Sequence, residues 1–141
     1  MALNSRSVVT VSRKATILEA VEVMSATQVG SVVVVDGDEL QGMFSERDVM
    51  LRVVLEGRNP RFTLVEEAMT TPVQTISVRT SGDEALSIML QEHIRHLPIV
   101  DDDGHVQSIV SMRGLLEEKI VELHQQLDSL ESYITFDGNG G

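Results

Sequence analysis

The chain has 141 residues and a formal net charge of −11, with 22 acidic residues, 11 basic residues and no cysteine. The missing cysteine excludes disulfides, thiolate metal sites and a cysteine nucleophile, and the negative charge argues against binding to nucleic acid or to an anionic membrane surface. A chain of this length buries roughly 68–70% of its unfolded surface, which is enough for an independent core. No apolar run reaches the ~20 residues that span a bilayer, and the first residues lack the apolar stretch of a signal peptide, so we expect a cytoplasmic protein.

The first half of the chain predicts the element order β-α-β-β-α. A short strand over Val8–Val11 precedes a helix over Ile17–Thr27, in which apolar residues recur at helical spacing. The run Ser31–Asp36 lacks polar alternation, which is typical of a strand buried on both faces. After a turn, a strand over Gln41–Phe44 leads to a helix that begins just after Ser45, an acceptable N-cap residue.

The second half repeats this order at an offset of 65 residues, which becomes 66 after the second turn. The predicted elements are strands over Val73–Val78, Leu97–Asp101 and Val106–Val110, a helix over Gly82–His93, and a last helix that begins after Ser111. Because the apolar runs and the serines before the last helices fall in register, the sequence predicts two copies of one unit.

The last helix of the second copy is longer than its counterpart. From Leu116 to Ile134 its apolar residues follow at spacings of 4, 3, 4, 3 and 4, a heptad pattern about two and a half repeats long. A dimer contact and an amphipathic helix packed on its own domain both remain open. We predict repeat 1 at 8–56, a linker at 57–72, repeat 2 at 73–120, a helical extension at 121–136, and loose ends at 1–7 and 137–141.

The two copies resemble a pair of cystathionine β-synthase (CBS) domains, the arrangement called a Bateman module. In the first copy the resemblance lies in GSVVVVD at 30–36 and FSERDV at 44–49. In the second copy it lies in RHLPIVD at 95–101 and SMR at 111–113, and AMTTPV at 68–73 between the copies also fits the family. The resemblance covers about residues 8 to 120.

This resemblance implies an α/β (α+β) fold of two β-α-β-β-α units related by a pseudo-twofold axis, here with an extended C-terminal helix. It implies a stand-alone, bacterial-type regulatory protein without catalytic activity, paired as a homodimer. Such modules bind adenosine ligands in the clefts between the units. We expect AMP, with ADP, ATP, NAD or NADH and S-adenosylmethionine as alternatives, and a change on binding that passes to the dimer interface or to a partner protein.

The residues at 45–48 suit such a ligand by their own chemistry. Ser45 begins a helix, where unpaired N–H groups and a partial positive charge attract phosphate. Arg47 offers a planar fork of donors for phosphate, and the carboxylate of Asp48 can accept from a ribose diol. The resemblance gives Ser45 a phosphate-side contact and Asp48 a ribose contact. The alternative is that Ser45 and Asp48 only cap a surface helix.

The second copy departs from this pattern because Gly114 stands where the first copy has Asp48. Ser111 and Arg113 remain, so we predict one good site and one weak or altered site. Candidate residues around the adenine are Thr10, Val11, Gly30, Ser31 and Val32 in the first copy, and Ile76, His96, Leu97 and Pro98 in the second. For most of the valines the alternative is plain core, and for His96 it is a structural or solvated histidine.

Other chemistry is weakly indicated. The sequence contains no phosphate loop, no nucleophile elbow and no zinc-protease motif, so we expect no enzyme. The spacing of His93 and His96 lacks a third metal ligand, and 101–104 predicts a turn rather than a calcium loop, so we expect no metal. Arg13 and Lys14 are equally compatible with phosphate contact and with a solvated loop. The alternative function is a ligand-independent dimerisation or protein-interaction module.

Overall fold

A computed structural model describes residues 8–140, with side chains described through residue 133. Its elements form a mixed α+β fold of helices and two small sheets, which confirms the predicted fold class. Contacts divide the described chain into two compact units, one made of 8–79 with 98–109 and the other of 80–97 with 110–140. No described helix has the length and apolar character needed to cross a membrane.

The first copy forms a three-stranded sheet in the order β1-β2-β3. Strand β2 pairs in parallel with β1 and antiparallel with β3, with an irregularity in register between Val34 and Val35. The bounds are β1 Thr10–Ser12, α1 Ile17–Thr27, β2 Ser31–Asp36, β3 Glu39–Ser45 and α2 Glu46–Asp48, which continues as a π-helical segment over Val49–Val54.

Strand β2 is the centre of this unit. Its residues 32–35 are all buried, as the missing polar alternation predicted for a strand covered on both faces. Phe44 on β3, opposite Val32, is fully buried, as is Ile17 at the start of α1. The core therefore lies between the sheet and α1. It fixes the positions of β2 and β3, and α2 begins at the end of β3.

The second copy contains α3 Gly82–Glu92, β4 His96–Val100, β5 Val106–Ser111 and α4 Met112–Gly140, with β4 and β5 paired in a two-stranded sheet. Both copies cap their first long helix in the same way. Thr16 Oγ1 accepts from the N–H of Glu19 at 3.1 Å, and Ser81 Oγ accepts from the N–H of Glu84 at 3.1 Å. Each side chain satisfies an N–H group that a helix start leaves unpaired. The buried residues are Ile17, Ala20 and Met24 in α1 and Gly82, Ala85 and Met89 in α3, again 65 positions apart.

The prediction of a strand over Val73–Val78 was wrong. Of this segment only Ile76 pairs, as an isolated parallel bridge to Ile99. Its N–H donates to the carbonyl of Pro98 at 3.0 Å, and its own carbonyl accepts from the N–H of Val100 at 2.9 Å.

A proline explains why this ladder stops. In the first copy the N–H of Val33 on β2 donates to the carbonyl of Val9 at 3.0 Å and extends the pairing with β1. Pro98 occupies the equivalent position on β4 and has no N–H to donate. The carbonyl of Gln74, equivalent to that of Val9, therefore has no donor on β4, and the pairing is limited to Ile76.

The segment predicted as a linker packs on the first copy. It contains a short 3₁₀ helix at Val65–Glu67, and both Val65 and Ala68 are fully buried in the core cluster of that copy. The N–H of Val65 donates to the carbonyl of Ala15 at 2.8 Å. Further on, Thr70 pairs antiparallel with Met43 of β3. The boundaries predicted for repeats and linker stay a prediction.

Helix α4 continues to Gly140, beyond the predicted end at 136. The described side chains that follow Glu122 on this helix, through Tyr133, are all exposed. The predicted loose end at 1–7 lies outside the described residues, as does Gly141, and the last heptad residue, Ile134, lies outside the described side chains.

A candidate nucleotide site at the start of helix α2

Asp48 is the one charged residue that is buried among the described residues, with 6% of its surface exposed. Its Oδ2 atom accepts from the backbone N–H of Ser45 at 3.0 Å and from the Ser45 hydroxyl at 3.1 Å. The Oγ atom of Ser45 in turn accepts from the N–H of Asp48 at 3.3 Å. This reciprocal capping box holds the carboxylate at the corner where β3 passes into α2.

The other carboxylate oxygen faces the linker and the π-helical segment. Its Oδ1 atom accepts from the hydroxyl of Thr70 at 2.9 Å and lies 3.6 Å from Nε of Arg52. Arg52 also donates through Nη1 to the carbonyl of Met69 at 2.7 Å. A buried carboxylate is costly unless it is paired, and these contacts provide the pairing.

The two other polar residues of the predicted motif are exposed. Arg47 is exposed and forms no ion pair with any residue that the structure describes. Glu46 donates its N–H to the carbonyl of Gly30 at 3.0 Å, and its carboxylate lies 3.6 Å from the position of a Cβ on Gly30. The structure therefore brings Gly30 next to the start of α2, as a common site requires.

The remaining candidates of the first copy divide by burial. Thr10 and Gly30 are exposed and Ser31 is half-buried, opposite Ser45 in the sheet register. Val11 and Val32 are buried core residues. A ligand would meet these two positions through their backbone, and the adenine contacts stay a prediction.

In the second copy the serine cap is present without its acidic partner. Ser111 Oγ accepts from the N–H of Gly114 at 3.0 Å, the counterpart of the bond from Asp48 to Ser45. Arg113 is highly exposed and pairs with Glu117 at 3.1 Å. The other candidates there are Ile76, Leu97 and Pro98, which are buried, and His96, which is half-buried on β4.

Arg13 and Lys14 are engaged by acidic residues of the same unit. Lys14 Nζ donates to Glu66 at 2.9 Å, and Arg13 lies 3.2 Å from Asp36 and 3.8 Å from Glu66. The hydrogen bond from Lys14, helped by the charges of Lys14 and Arg13, holds the pKa of Glu66 below its usual value of 4.5. These contacts favour a structural role for both basic residues over phosphate binding.

The turn at 101–105 places possible metal ligands together. Atoms of Asp101, Asp103 and His105 lie within 4.8 Å of one another. However, Oδ1 of Asp101 already accepts from the N–H groups of Asp103 and His105, at 3.0 and 2.8 Å. This pattern is an Asx-type turn, where the sequence predicted a turn.

The matches to a known protein family fall on the two copies described above. The family model of the CBS domain matches residues 2–55 and 65–120. The chain belongs to the CBS domain family. It carries a tandem pair of CBS domains, as the resemblance in its sequence predicted, and CBS pairs are generally regulatory, non-catalytic modules.

Two curated proteins and two solved structures are similar to this chain. The CBS domain-containing protein YhcV of Bacillus subtilis is 39% identical over 108 residues, which are 77% of this chain and 76% of YhcV. An uncharacterised protein of Methanopyrus kandleri is 38% identical over 113 residues, 79% of this chain but only 58% of that protein. A CBS-domain protein from Burkholderia ambifaria is 34% identical with a TM-score of 0.76, covering 82% of this chain and 85% of that one. The CBS domain protein PAE2072 from Pyrobaculum aerophilum, complexed with AMP, shares the fold at 24% identity and a TM-score of 0.70, covering 80% and 91%.

Sequence reasoning missed two residues that contact Asp48. Arg52 follows Asp48 by one helical turn, so the (i, i+4) spacing was a signal that could have found it. Thr70 lies 22 residues further along the chain, and nothing local in the sequence connects it to Asp48.

Proposed function

We propose that this CBS pair is a regulatory module that binds an adenosine nucleotide at the corner formed by Ser45, Arg47 and Asp48. The observation that carries the proposal is the buried carboxylate of Asp48, held beside the N-terminus of a helix. A helix start attracts phosphate, and an oriented carboxylate accepts from the two hydroxyls of a ribose. One corner of the fold thus offers the two kinds of group that a nucleotide needs.

Each residue has a distinct part in this proposal. The exposed guanidinium of Arg47, at the start of α2, binds the phosphate. Asp48 binds the ribose, and Ser45 keeps that carboxylate oriented through the capping box. The phosphate contact predicted for Ser45 stays a prediction, because its hydroxyl donates to Asp48. Binding then favours one of two arrangements of the module, and the change passes to a dimer interface or to a partner.

The second copy would hold a nucleotide less well. Its helix begins with the same serine cap, but Gly114 supplies no carboxylate for a ribose. Arg113 already has an acidic partner in Glu117, which a phosphate must displace. We therefore infer one dominant site per chain.

AMP is the first ligand to test, since PAE2072, which has this fold, was solved with AMP. Calorimetric titration of the pure protein with AMP, ADP, ATP, NAD, NADH and S-adenosylmethionine measures the affinities. Asp48→Asn should weaken AMP binding about tenfold or more, because it removes a charge-assisted acceptor. Asp38→Asn, which removes the same charge from an exposed turn, is the control and should leave AMP binding unchanged.

A loss of the fold would mislead this test, so circular dichroism of Asp48→Asn accompanies it. Arg47→Gln is the second variant, because its side chain is exposed and makes no described ion pair. It should lower the affinity for AMP more than the affinity for adenosine, which has no phosphate. Absence of binding by the unmodified protein to all six ligands would contradict the proposal.

A second function is favoured by one observation. The heptad residues Leu123, Leu127 and Leu130 of α4 are each about half exposed, at 51%, 52% and 54%, although they are apolar. We infer that this face joins two copies of the chain as a homodimer, either with the nucleotide site or as a ligand-independent interaction module. The cytoplasmic location expected from the sequence belongs to the same proposal.

A further inference from the structure

We propose that the ribose of the ligand competes with the linker residue Thr70 for the carboxylate of Asp48, so that binding releases the linker from β3 and α2. The inference rests on the proposed function, since it describes how that site is regulated. The residues that carry this regulation are Asp48, Arg52, Met69 and Thr70. Their contacts join the end of the linker to the first helical turns after β3.

The number of acceptor places on Asp48 is the first step. An ionised carboxylate offers about four lone-pair places, two on each oxygen. On Oδ2 both are taken, by the N–H and the hydroxyl of Ser45. On Oδ1 one is taken by the hydroxyl of Thr70, and Arg52 Nε stays at 3.6 Å, beyond hydrogen-bond distance. One place remains, whereas a ribose diol bonded through both hydroxyls needs two.

Thr70 is the partner that leaves most readily. The Ser45 N–H is part of the backbone, and the Ser45 hydroxyl makes two bonds in the capping box, one given and one accepted. Thr70 is an exposed residue whose hydroxyl makes a single bond to Asp48. After displacement that hydroxyl can bond to water, so the cost of its release is small.

Release of Thr70 weakens a larger set of contacts. The N–H of Thr70 donates to the carbonyl of Met43 at 2.8 Å, and the N–H of Met43 donates back at 3.0 Å. Met69, the preceding residue, is held by Arg52, which itself lies against the carboxylate that the ligand would engage. Because the same carboxylate and the same arginine serve both the site and the linker, a ligand on Asp48 changes the stability of the linker pairing.

Thr70→Val tests the competition. Valine keeps the size and branching of threonine and suits extended backbone, but it has no hydroxyl to give to Asp48. Its AMP affinity, measured by calorimetry, should rise about 2- to 12-fold, the effect of one net hydrogen bond on an equilibrium constant. Thr71→Val is the matched control, because the Thr71 hydroxyl donates to the carbonyl of Gln41 at 3.0 Å and not to Asp48. Its AMP affinity should not change.

Amide hydrogen exchange gives a second readout. AMP should speed exchange at the N–H groups of Thr70 and Met43 in the unmodified protein, and Thr70→Val should show faster exchange there without AMP. If AMP binds and Thr70→Val binds it equally or more weakly, or if AMP slows exchange at these amides, the competition is overturned while the nucleotide site stands. If the unmodified protein does not bind AMP, the proposed function and the competition are overturned together.

Discussion

A Cβ atom on Gly42 would lie 2.7 Å from the carbonyl oxygen of Thr70, closer than real Cβ contacts come. The same atom would lie 2.6 Å from the sulfur of Met69. Because Gly42 has no side chain, the linker backbone can pair closely with β3 at this position. The second copy has Ser108 at the equivalent position, and a serine carries the Cβ atom for which Gly42 leaves no room.

Gly42→Ala should destabilise the protein by roughly 1–3 kcal/mol, because the side chain of Met69 can move aside but the backbone at Thr70 must shift. Denaturant unfolding measures this loss, and amide exchange should show it first at Thr70. Ser108→Ala is the control, because it makes an alanine at the matching position of the second copy, and it should change stability by less than about 0.5 kcal/mol. Equal stability of Gly42→Ala and the unmodified protein would contradict the close packing of the linker.

Gly114→Asp should stabilise the start of α4. It replaces glycine within a helical turn, places a carboxylate near a helix N-terminus, and supplies the acidic partner that Ser111 lacks. A Cβ on Gly114 would lie 3.2 Å from Ser111 Oγ, which requires a small shift that the equivalent corner with Asp48 already accommodates. We expect a gain of about 0.5–1.5 kcal/mol in the free energy of unfolding. Gly114→Ala separates the two effects, since it should give only the part due to helix propensity; a larger gain from alanine than from aspartate would reject the capping argument.

Most of the fold could be predicted from the sequence because its signals are local. Thr16 and Ser81 are cap residues at the starts of two helices, and an apolar helix face follows each of them. Strand β2 is an unbroken apolar run. The prediction of a strand over 73–78 was wrong for a reason that is not local. Its own residues suit a strand, but the partner strand presents Pro98, and only the register of the pairing shows that an N–H is missing there.

The site could be predicted only in part, for the same reason. The motif at 45–48 was recognisable because Ser45 and Asp48 follow a strand and begin a helix, and the structure places them in one capping box. The sequence could not predict which groups bond to the carboxylate of Asp48. One of them is the hydroxyl of Thr70, which lies next to β3 because Val65 and Ala68 pack into the core. Long-range packing therefore decides how many acceptor places on Asp48 are occupied.

Acid should weaken the contact between Lys14 and Glu66. The pKa of Glu66 is held below its usual value of 4.5, chiefly by the hydrogen bond from Lys14, so the folded state favours the ionised carboxylate. This contribution to stability is fully present above 4.5 and is lost as the pH falls through the lower pKa of the folded state. Glu66→Gln should therefore be less stable than the unmodified protein at neutral pH, and the difference should vanish in acid.

Chemical denaturation of both proteins between neutral and acid pH measures that difference. Lys14→Gln is the companion variant, because it removes the main cause of the shift and leaves Glu66 in place. Its stability relative to the unmodified protein should follow the same pH course. A difference between Glu66→Gln and the unmodified protein that grows in acid would show that the sign is wrong.

The exposed heptad face of α4 should join two chains. Leu123 and Leu127 lie on this face, and an apolar stripe at alternating spacings of 3 and 4 packs into the equivalent stripe of a second helix. Leu123→Asp combined with Leu127→Asp places two charges in that seam and should give monomers in analytical ultracentrifugation. Gln125→Asp combined with Ser129→Asp adds the same charge outside the seam, and the dimer should persist. A dimer that survives both double substitutions would place the contact elsewhere, because two buried carboxylates per chain cannot be accommodated in an apolar seam without partners.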